Sequence, residues 1–416
     1  MRAQAQRQAQ RPAQALPALT APERGLPVLA ELAARVAEAA GRTGPEAVGG
    51  GSELRAAACG YWARRGLPTG PGDVIAAPGA EPLLLALLAA AGGDVLLTRP
   101  CAAAYGPLAR LAGRTAYHVP VTAESGGVPD PFALLETVRR IRAEGGRPRV
   151  LLLSVADDPT GTVAPPEILH EVCEAAVAEE LTVISDETWR DTRHDPHGTV
   201  FVGPAEMIPG HVVVLTDLAG SLTPTAWPAA VARFPAEGRG PVLRARVTSA
   251  LTAVRAELPP PIAAAAAYAL GEPQPIRARV AALSHLYGSL AAAARERLSA
   301  AGVLCRPPQT GPYLYADLGE LRAPLAACAI TDSVDLETHL SARLGRPVPG
   351  GHRFGDSPDD LRVRLSTPPL LGTTDEQRQR AFDAPDPLEV PEVREALSLL
   401  GTVFGELAGQ AGISTA

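Results

Sequence analysis

The stretch VLLLSVADDPTGTVAPPEILHEVCEAAVAEELTVISDETWRD, residues 150–191, decides the fold. Its apolar runs at 150–155 and 181–185 show no polar alternation, the pattern of strands covered on both faces of a mostly parallel sheet. Between them the chain passes Pro165 and Pro166 and then carries Ile168, Leu169, Val172 and Ala176 along one helical stripe. Proline suits a first helical turn, where its missing N–H would have had no partner. The segment therefore reads as strand, helix, strand: a β-α-β unit.

Similar short apolar runs occur at 74–77, 94–98, 115–121, 212–215 and 229–234, separated by helical patterns. The expected fold class is α/β, with a mostly parallel sheet in the large domain. On the N-terminal side, 26–40 is helical, and GGGS at 49–52 separates it from a second helix, ELRAAACGYWARRG. On the C-terminal side a long helical region at 239–302 is interrupted by ELPPPI. After it come a strand signal in PYLYADL, a helix at 336–344, a strand pair at 349–353 and 361–366, and a last helix at 393–408. DAPDPLEVPE at 383–392 reads as a loop insertion. This order predicts a large domain over 49–270, and over 271–416 a connecting helix followed by a smaller α+β domain. Residues 25–48 are assigned to the N-terminal part of the small domain, and 1–24, rich in Gln, Ala, Pro and Arg, to a disordered tail.

The chain has 416 residues, with 38 basic and 45 acidic side chains and a net charge of −7. With no basic tract, nucleic acid and anionic membrane are not expected partners. No apolar run reaches the roughly 18 residues of a spanning helix, and MRAQAQRQAQRPAQ at the start lacks a secretory signal core. A cytoplasmic location is the expectation. Cys59, Cys101, Cys173, Cys305 and Cys328 are odd in number, scattered and without C-x-x-C spacing, so neither a disulfide framework nor a metal site is expected. A more consequential absence is that the chain contains no lysine and no asparagine. Its bias toward Ala, Gly, Pro and Arg suits a GC-rich coding sequence, but it also rules out any chemistry that needs a lysine amine within this chain.

From residue 46 onward the segments SELRAAACGYWARRGL, PGAEPLLLALL, GGDVLLTRPCAAAY, SVADDPTGTV, LTVISDETWRD, VVVLTDLAGSLTPTAWPAAVARFP, PGGHRFG and LRVRLSTPPL follow one another. Their order resembles the class I/II aminotransferases, the fold-type I enzymes that use pyridoxal 5′-phosphate (PLP). In that family a lysine in a Ser-x-Ser-Lys segment forms the internal aldimine with the cofactor. The matching segment here is Asp217-Leu218-Ala219-Gly220, so Gly220 occupies the lysine position and supplies neither nucleophile nor base.

The resemblance also locates the cofactor contacts. Of the phosphate anchors, the serine becomes Asp217 and the arginine becomes Pro228, while Gly79 and Ala80 keep the backbone role of a helix N-terminus. Losing two or three hydrogen bonds to a charged group weakens binding by roughly 3 to 6 kcal/mol, on the order of a hundredfold to ten-thousandfold. At the ring, the stacking aromatic falls on Ala102, the asparagine that donates to the phenolic oxygen falls on Asp158, and the tyrosine falls on Trp189. A carboxylate at 158 only accepts hydrogen bonds, which inverts that contact. Asp186 matches the carboxylate that pairs with the pyridinium nitrogen, and Arg364 matches the arginine that clamps the substrate carboxylate. Without a cationic partner, a buried Asp186 should have a raised pKa; its simpler reading is a strand-end carboxylate satisfied by backbone or by Arg190.

These residues imply a degenerate family member: a pseudoenzyme or repurposed protein with a retained amino- or keto-acid site at Arg364 and PLP, at most, weakly and noncovalently bound. Such a chain is expected to form a homodimer, or a heterodimer with an active paralogue. The alternative is a lysine-independent enzyme using noncovalent pyridoxamine phosphate or no cofactor, with Asp158 or Asp186 as general base. Other candidates receive ordinary readings. His194 and His197 near Asp191 and Asp195 form a solvated turn, Ser221 and Thr223 are caps, and one of Tyr313 and Tyr315 faces the core. Trp62 and Trp227 pack.

Overall fold

The computed structural model describes residues 24–409, so the tail expected at 1–24 lies, apart from Arg24, outside the described residues. Seven strands form the main sheet: β1 (Val74–Ala77), β2 (Asp94–Arg99), β3 (Ala116–Pro120), β4 (Pro148–Ser154), β5 (Thr182–Asp186), β6 (Val212–Asp217) and β7 (Ala230–Arg233). Their order is β1-β7-β6-β5-β4-β2-β3. The pairs from β6 through to β3 are parallel, whereas β7 runs antiparallel to both β6 and β1. The β-α-β reading holds: β4 and β5 are parallel neighbours joined through the helix Pro166–Ala178, which buries Leu169, Val172 and Ala176. Alternate residues of the central strands pack into hydrophobic cores on opposite faces of the sheet, Leu151 and Val183 on one and Leu152 and Ile184 on the other. That two-sided burial is why their sequences are continuously apolar.

A second, antiparallel sheet holds β8 (Leu304–Cys305), β9 (Tyr313–Asp317) and β10 (Arg362–Ser366) in the order β10-β9-β8. Its core gathers Leu314, Ala316, Val363 and Leu365 with residues of the helices Ser333–Leu344 and Pro391–Gly409. The helix Gln274–Ala300 bridges the two cores, with Ile276 in the core of the large sheet and Leu286 to Leu298 in that of the small one.

Several expectations need correction. The helical region at 239–302 has the break expected at ELPPPI, between Gly240–Ala253 and Pro260–Leu270, and an unforeseen second one before Gln274–Ala300, where Pro273 starts a new helix more readily than it continues the old one. The strand expected at 349–353 is a 3₁₀ turn, Gly351–Phe354, with a single bridge between Gly350 and Val363. An unforeseen helix, Asp375–Asp383, precedes the expected loop, capped by Thr374 and Gln377. Within that loop lies a 3₁₀ turn, Pro387–Glu389. Finally, the helix Ala30–Ala39, assigned to the small domain, buries Leu32 in the core of the large sheet and packs on Pro260–Leu270, while Leu26 alone of this segment packs on the smaller core.

Candidate functional site

The site lies where the strands of the large sheet end. In an open α/β sheet, ligands bind beyond the carboxyl ends of the parallel strands, and here β4, β5 and β6 end in Ser154, Asp186 and Asp217. Because β7 runs the other way, its entry from Pro228 reaches the same edge, as does the turn after β1 that carries Gly79. These ends and β9 and β10 of the small sheet enclose a cavity of about 550 Å³. Of the residues singled out from sequence, Ala80, Ala102, Asp158, Asp186, Trp189, Asp217, Gly220, Pro228 and Arg364 line it.

Asp186 is held by neutral donors. Its Oδ1 accepts from the Thr188 backbone N–H at 3.0 Å and from the Thr188 hydroxyl at 2.6 Å, and its Oδ2 accepts from the Tyr105 hydroxyl at 2.8 Å. Arg190 is not its partner: that guanidinium pairs with Glu187 at 2.7 Å and Glu206 at 3.1 Å. Burial therefore raises the Asp186 carboxyl above the usual carboxylate range, against the pull of these hydrogen bonds and with some help from the charge of Asp158.

On the small-sheet side, Arg364 Nη1 meets Asp158 Oδ1 at 2.7 Å. The guanidinium is buried and lies 4.0 Å from the centre of the Tyr313 ring and 4.9 Å from that of Phe354. The substitution at 158 thus supplies an internal carboxylate to the arginine that was expected to clamp an external one. Trp189 meets Tyr313 edge to face at 5.6 Å.

At the opposite end the chain turns from β6 into the segment of Gly220. Asp217 Oδ1 accepts from the Ala219 N–H at 3.0 Å, and the Asp217 N–H donates to the Thr188 hydroxyl at 3.1 Å, so one threonine links the tips of β5 and β6. Burial pushes the Asp217 carboxyl up to about 7, and the charges of Glu81 and Asp186 add to the shift. Gly220 adopts φ +91°, and its N–H donates to Thr223 O at 2.8 Å. A Cβ there would stand 3.4 Å from Trp189 Cη2, in a backbone conformation that side-chain-bearing residues rarely adopt.

Gly79, at φ +109°, leads into the helix Ala80–Ala91. Two features of its first turn escaped the sequence reading. Pro82 removes one of the N–H groups a helix N-terminus offers to an anion, and Glu81 puts a carboxylate in the same turn. Both are plain in PGAEP once the helix start is known. Pro228 Cβ lies 3.5 Å from where a Gly79 Cβ would sit, so the exchanged arginine position does border this turn. Among the described residues, two guanidiniums line the cavity: Arg364, engaged by Asp158, and Arg24, exposed, whose Nη1 donates to Thr373 O at 3.3 Å. The Asp186 end fits a pyridinium nitrogen, but the Gly79–Asp217 end does not fit a dianionic phosphate.

The remaining candidates separate from this site. His194 is half-buried, not solvated, with ring nitrogens 3.1 Å from Pro308 O and 2.8 Å from Gly311 O; burial lowers its pKa. Asp191 faces away from it, accepting from the Tyr61 hydroxyl at 2.6 Å and pairing with Arg65 at 2.8 Å. Asp195 and His197 form the exposed turn that was expected. Ser221 and Thr223 are buried outside the cavity lining, and Thr223 Oγ1 donates to Trp227 O at 3.3 Å. Tyr313 and Tyr315 share one face of β9, since residues two apart on a strand point the same way. Neither is in the core; Leu314 and Ala316 are. Among the described residues no group of three or more His, Cys, Asp or Glu side chains is placed to hold a metal ion, and no helix is long and apolar enough to cross a membrane.

Comparison with known proteins bears on the whole arrangement. A probable aspartate/prephenate aminotransferase from Thermus aquaticus is 32% identical over 218 residues, 51% of this chain and 55% of that protein, so the match spans about half the length of that relative. The aspartate/prephenate aminotransferase of Cereibacter sphaeroides is 26% identical over 346 residues, 80% of this chain and 82% of that protein. A solved Thermus thermophilus aspartate aminotransferase, a tetra mutant, superposes with a TM-score of 0.74 at 24% identity, covering 92% of this chain and 95% of that one, a likeness of fold. Residues 22–365 match the family described as aminotransferase class I and II, and the chain belongs to that family.

Proposed function

We propose that this chain is a family member that has left Schiff-base transamination and acts as a small-molecule-binding protein, alone or as the silent subunit beside an active paralogue. The observation that carries this reading is Gly220: the position is a glycine at φ +91° under the Trp189 ring, in a chain with no lysine to substitute for it. The carboxylates at 81 and 217 and the proline at 82 support it, because each disfavours the phosphate that would hold a noncovalent cofactor. Arg364 keeps its place in the cavity lining, but Asp158 holds its Nη1 and offsets its charge, which weakens its pull on an external amino or keto acid.

The test is a calorimetric titration of the purified chain with PLP and with pyridoxamine phosphate. Neither is expected to bind more tightly than about 1 mM, weaker than about 4 kcal/mol of binding free energy; micromolar binding of either overturns the reading. Co-expression with a catalytic paralogue tests the silent-subunit form, which a mixture of separate homodimers would exclude.

A second reading, a cofactor-free acid–base enzyme, is supported by the place of Asp217 in the cavity lining, where burial pushes its carboxyl up to about 7. The groups favoured from sequence are less suited: Asp158 is engaged by Arg364, and Asp186 is surrounded by three donors. Turnover of an amino or keto acid by cofactor-stripped protein, abolished by Asp217→Asn, would establish it.

A further inference from the structure

We propose that the cavity at the strand ends binds a small organic ammonium ion, a ligand opposite in charge to the phosphorylated cofactor that the family resemblance implies. The proposal deepens the binding-protein reading and rests on it, since a resident cofactor would fill the same space.

The first argument is the charge left over after internal pairing. Among the described residues, four carboxyls line the cavity, at Glu81, Asp158, Asp186 and Asp217, against two guanidiniums. Asp158 and Arg364 satisfy each other at 2.7 Å. Arg24 is exposed, so solvent screens its charge, which the hydrogen bond from its Nη1 to Thr373 O leaves in place. Glu81, Asp186 and Asp217 have no ion pair with any described residue, and Asp186 and Glu81 both act electrostatically on Asp217. Carboxyls gathered in a partly buried space repel one another and are poorly hydrated. A cation entering the cavity relieves both costs, whereas an anion adds to them.

The second argument is the wall. Trp189 and Tyr313 form an edge-to-face pair, and the Trp189 ring reaches over Gly220, three residues beyond Asp217. The Tyr313 face is taken by the Arg364 guanidinium at 4.0 Å, which leaves Trp189, also in the cavity lining, as the ring a ligand cation would meet. Leu84, Leu108 and Leu215 add apolar surface. A carboxylate edge beside aromatic and aliphatic walls suits an ammonium group on an apolar body. Among the described residues no three ligating side chains converge as a bare metal ion would need.

The probe is 2-phenylethylammonium, titrated calorimetrically into the full chain at pH 8, with 3-phenylpropionate as an anion of similar shape and PLP as a further comparison. The ammonium compound is expected to bind and the carboxylate not to. Asp217→Asn and Glu81→Gln are each expected to weaken binding by about tenfold or more, the loss of a hydrogen bond to a charged group. Circular dichroism establishes that each variant is folded, and the two variants serve as independent checks. Tighter binding of the carboxylate, unchanged affinity in both folded variants, or no binding of the ammonium compound overturns the proposal. Micromolar binding of PLP instead overturns the reading beneath it. Failure of every ligand leaves that reading standing and removes only the ammonium proposal.

Discussion

The two ends of the cavity stand on neighbouring strands, one at the tip of β5 and the other at the tip of β6, and they differ in how their carboxyls are held. Asp186 has three donors arranged around it by Thr188 and Tyr105, two of them hydroxyls; Asp217 accepts only from backbone N–H groups, of Ala219 and Leu218, with Glu81 as an acidic neighbour. The first end keeps the arrangement the resemblance implies for a ring nitrogen. The second has exchanged every side-chain anchor expected for a phosphate. On the function proposed above, a site changes its ligand chemistry from one end while the fold that carries it is kept. The strands supply position in both cases; the side chains and the loop after β6 supply the chemistry.

The comparison breaks most visibly at the internal pair that spans the cavity toward the small sheet. Arg364→Leu leaves Asp158 without its guanidinium and is expected to destabilise the fold by roughly 3 kcal/mol in urea unfolding. The double change Arg364→Leu with Asp158→Leu should recover most of that loss. If the single and double variants are equally destabilised, the pair carries no coupling and Arg364 is available to an external anion.

The next effect is on pH dependence. The folded-state pKa of Asp217, about 7, lies above the roughly 4 of an unfolded carboxyl. Its contribution to stability is present below about pH 4 and declines as pH rises through 7, with a slope of at most about 1.4 kcal/mol per pH unit. Asp217→Asn should flatten this decline, so that the variant gains on the parent between pH 5 and 8. An unchanged slope in chemical denaturation across that range would place the raised group elsewhere.

Gly220→Lys restores the missing amine but adds a side chain at φ +91° beside Trp189. The expected cost is about 1 to 2 kcal/mol, read as a lower melting temperature, with no transaminase activity because Asp217, Pro228 and Ala102 are unchanged. Substantial activity in this single variant would show that the exchanged anchors are dispensable for holding the cofactor. The smallest effect is at the aromatic wall: Trp189→Leu should cost about 1 kcal/mol through loss of the edge-to-face contact with Tyr313. It also sharpens the ammonium proposal, because it should weaken cation binding without changing the pH slope set by Asp217.

Legibility from sequence followed the same division. Residues 150–191 specified a parallel strand pair with its crossover helix, because continuous apolar runs and a helical stripe are local patterns with one economical solution. The lack of lysine needed no structure at all. The small-sheet region was read less well: the strand expected at 349–353 is a 3₁₀ turn, and the helix Asp375–Asp383 was missed because its sequence, DEQRQRAFD, offers almost no apolar stripe.

At the site, the family resemblance carried by the sequence motifs picked out Ala80, Ala102, Asp158, Asp186, Trp189, Asp217, Gly220, Pro228 and Arg364, which line the cavity, but not Glu81, Tyr105 or Thr188, which line it too. The sequence alone determined that Gly220 cannot carry an amine. Only the tertiary structure decided that Arg364 is engaged by Asp158, that Arg190 serves Glu187 and Glu206 instead of Asp186, and that Asp217 shares its surroundings with Glu81. Those pairings join residues from separate strands, helices and loops, up to 206 positions apart. Their energies depend on distance and burial, which no local pattern in the chain encodes.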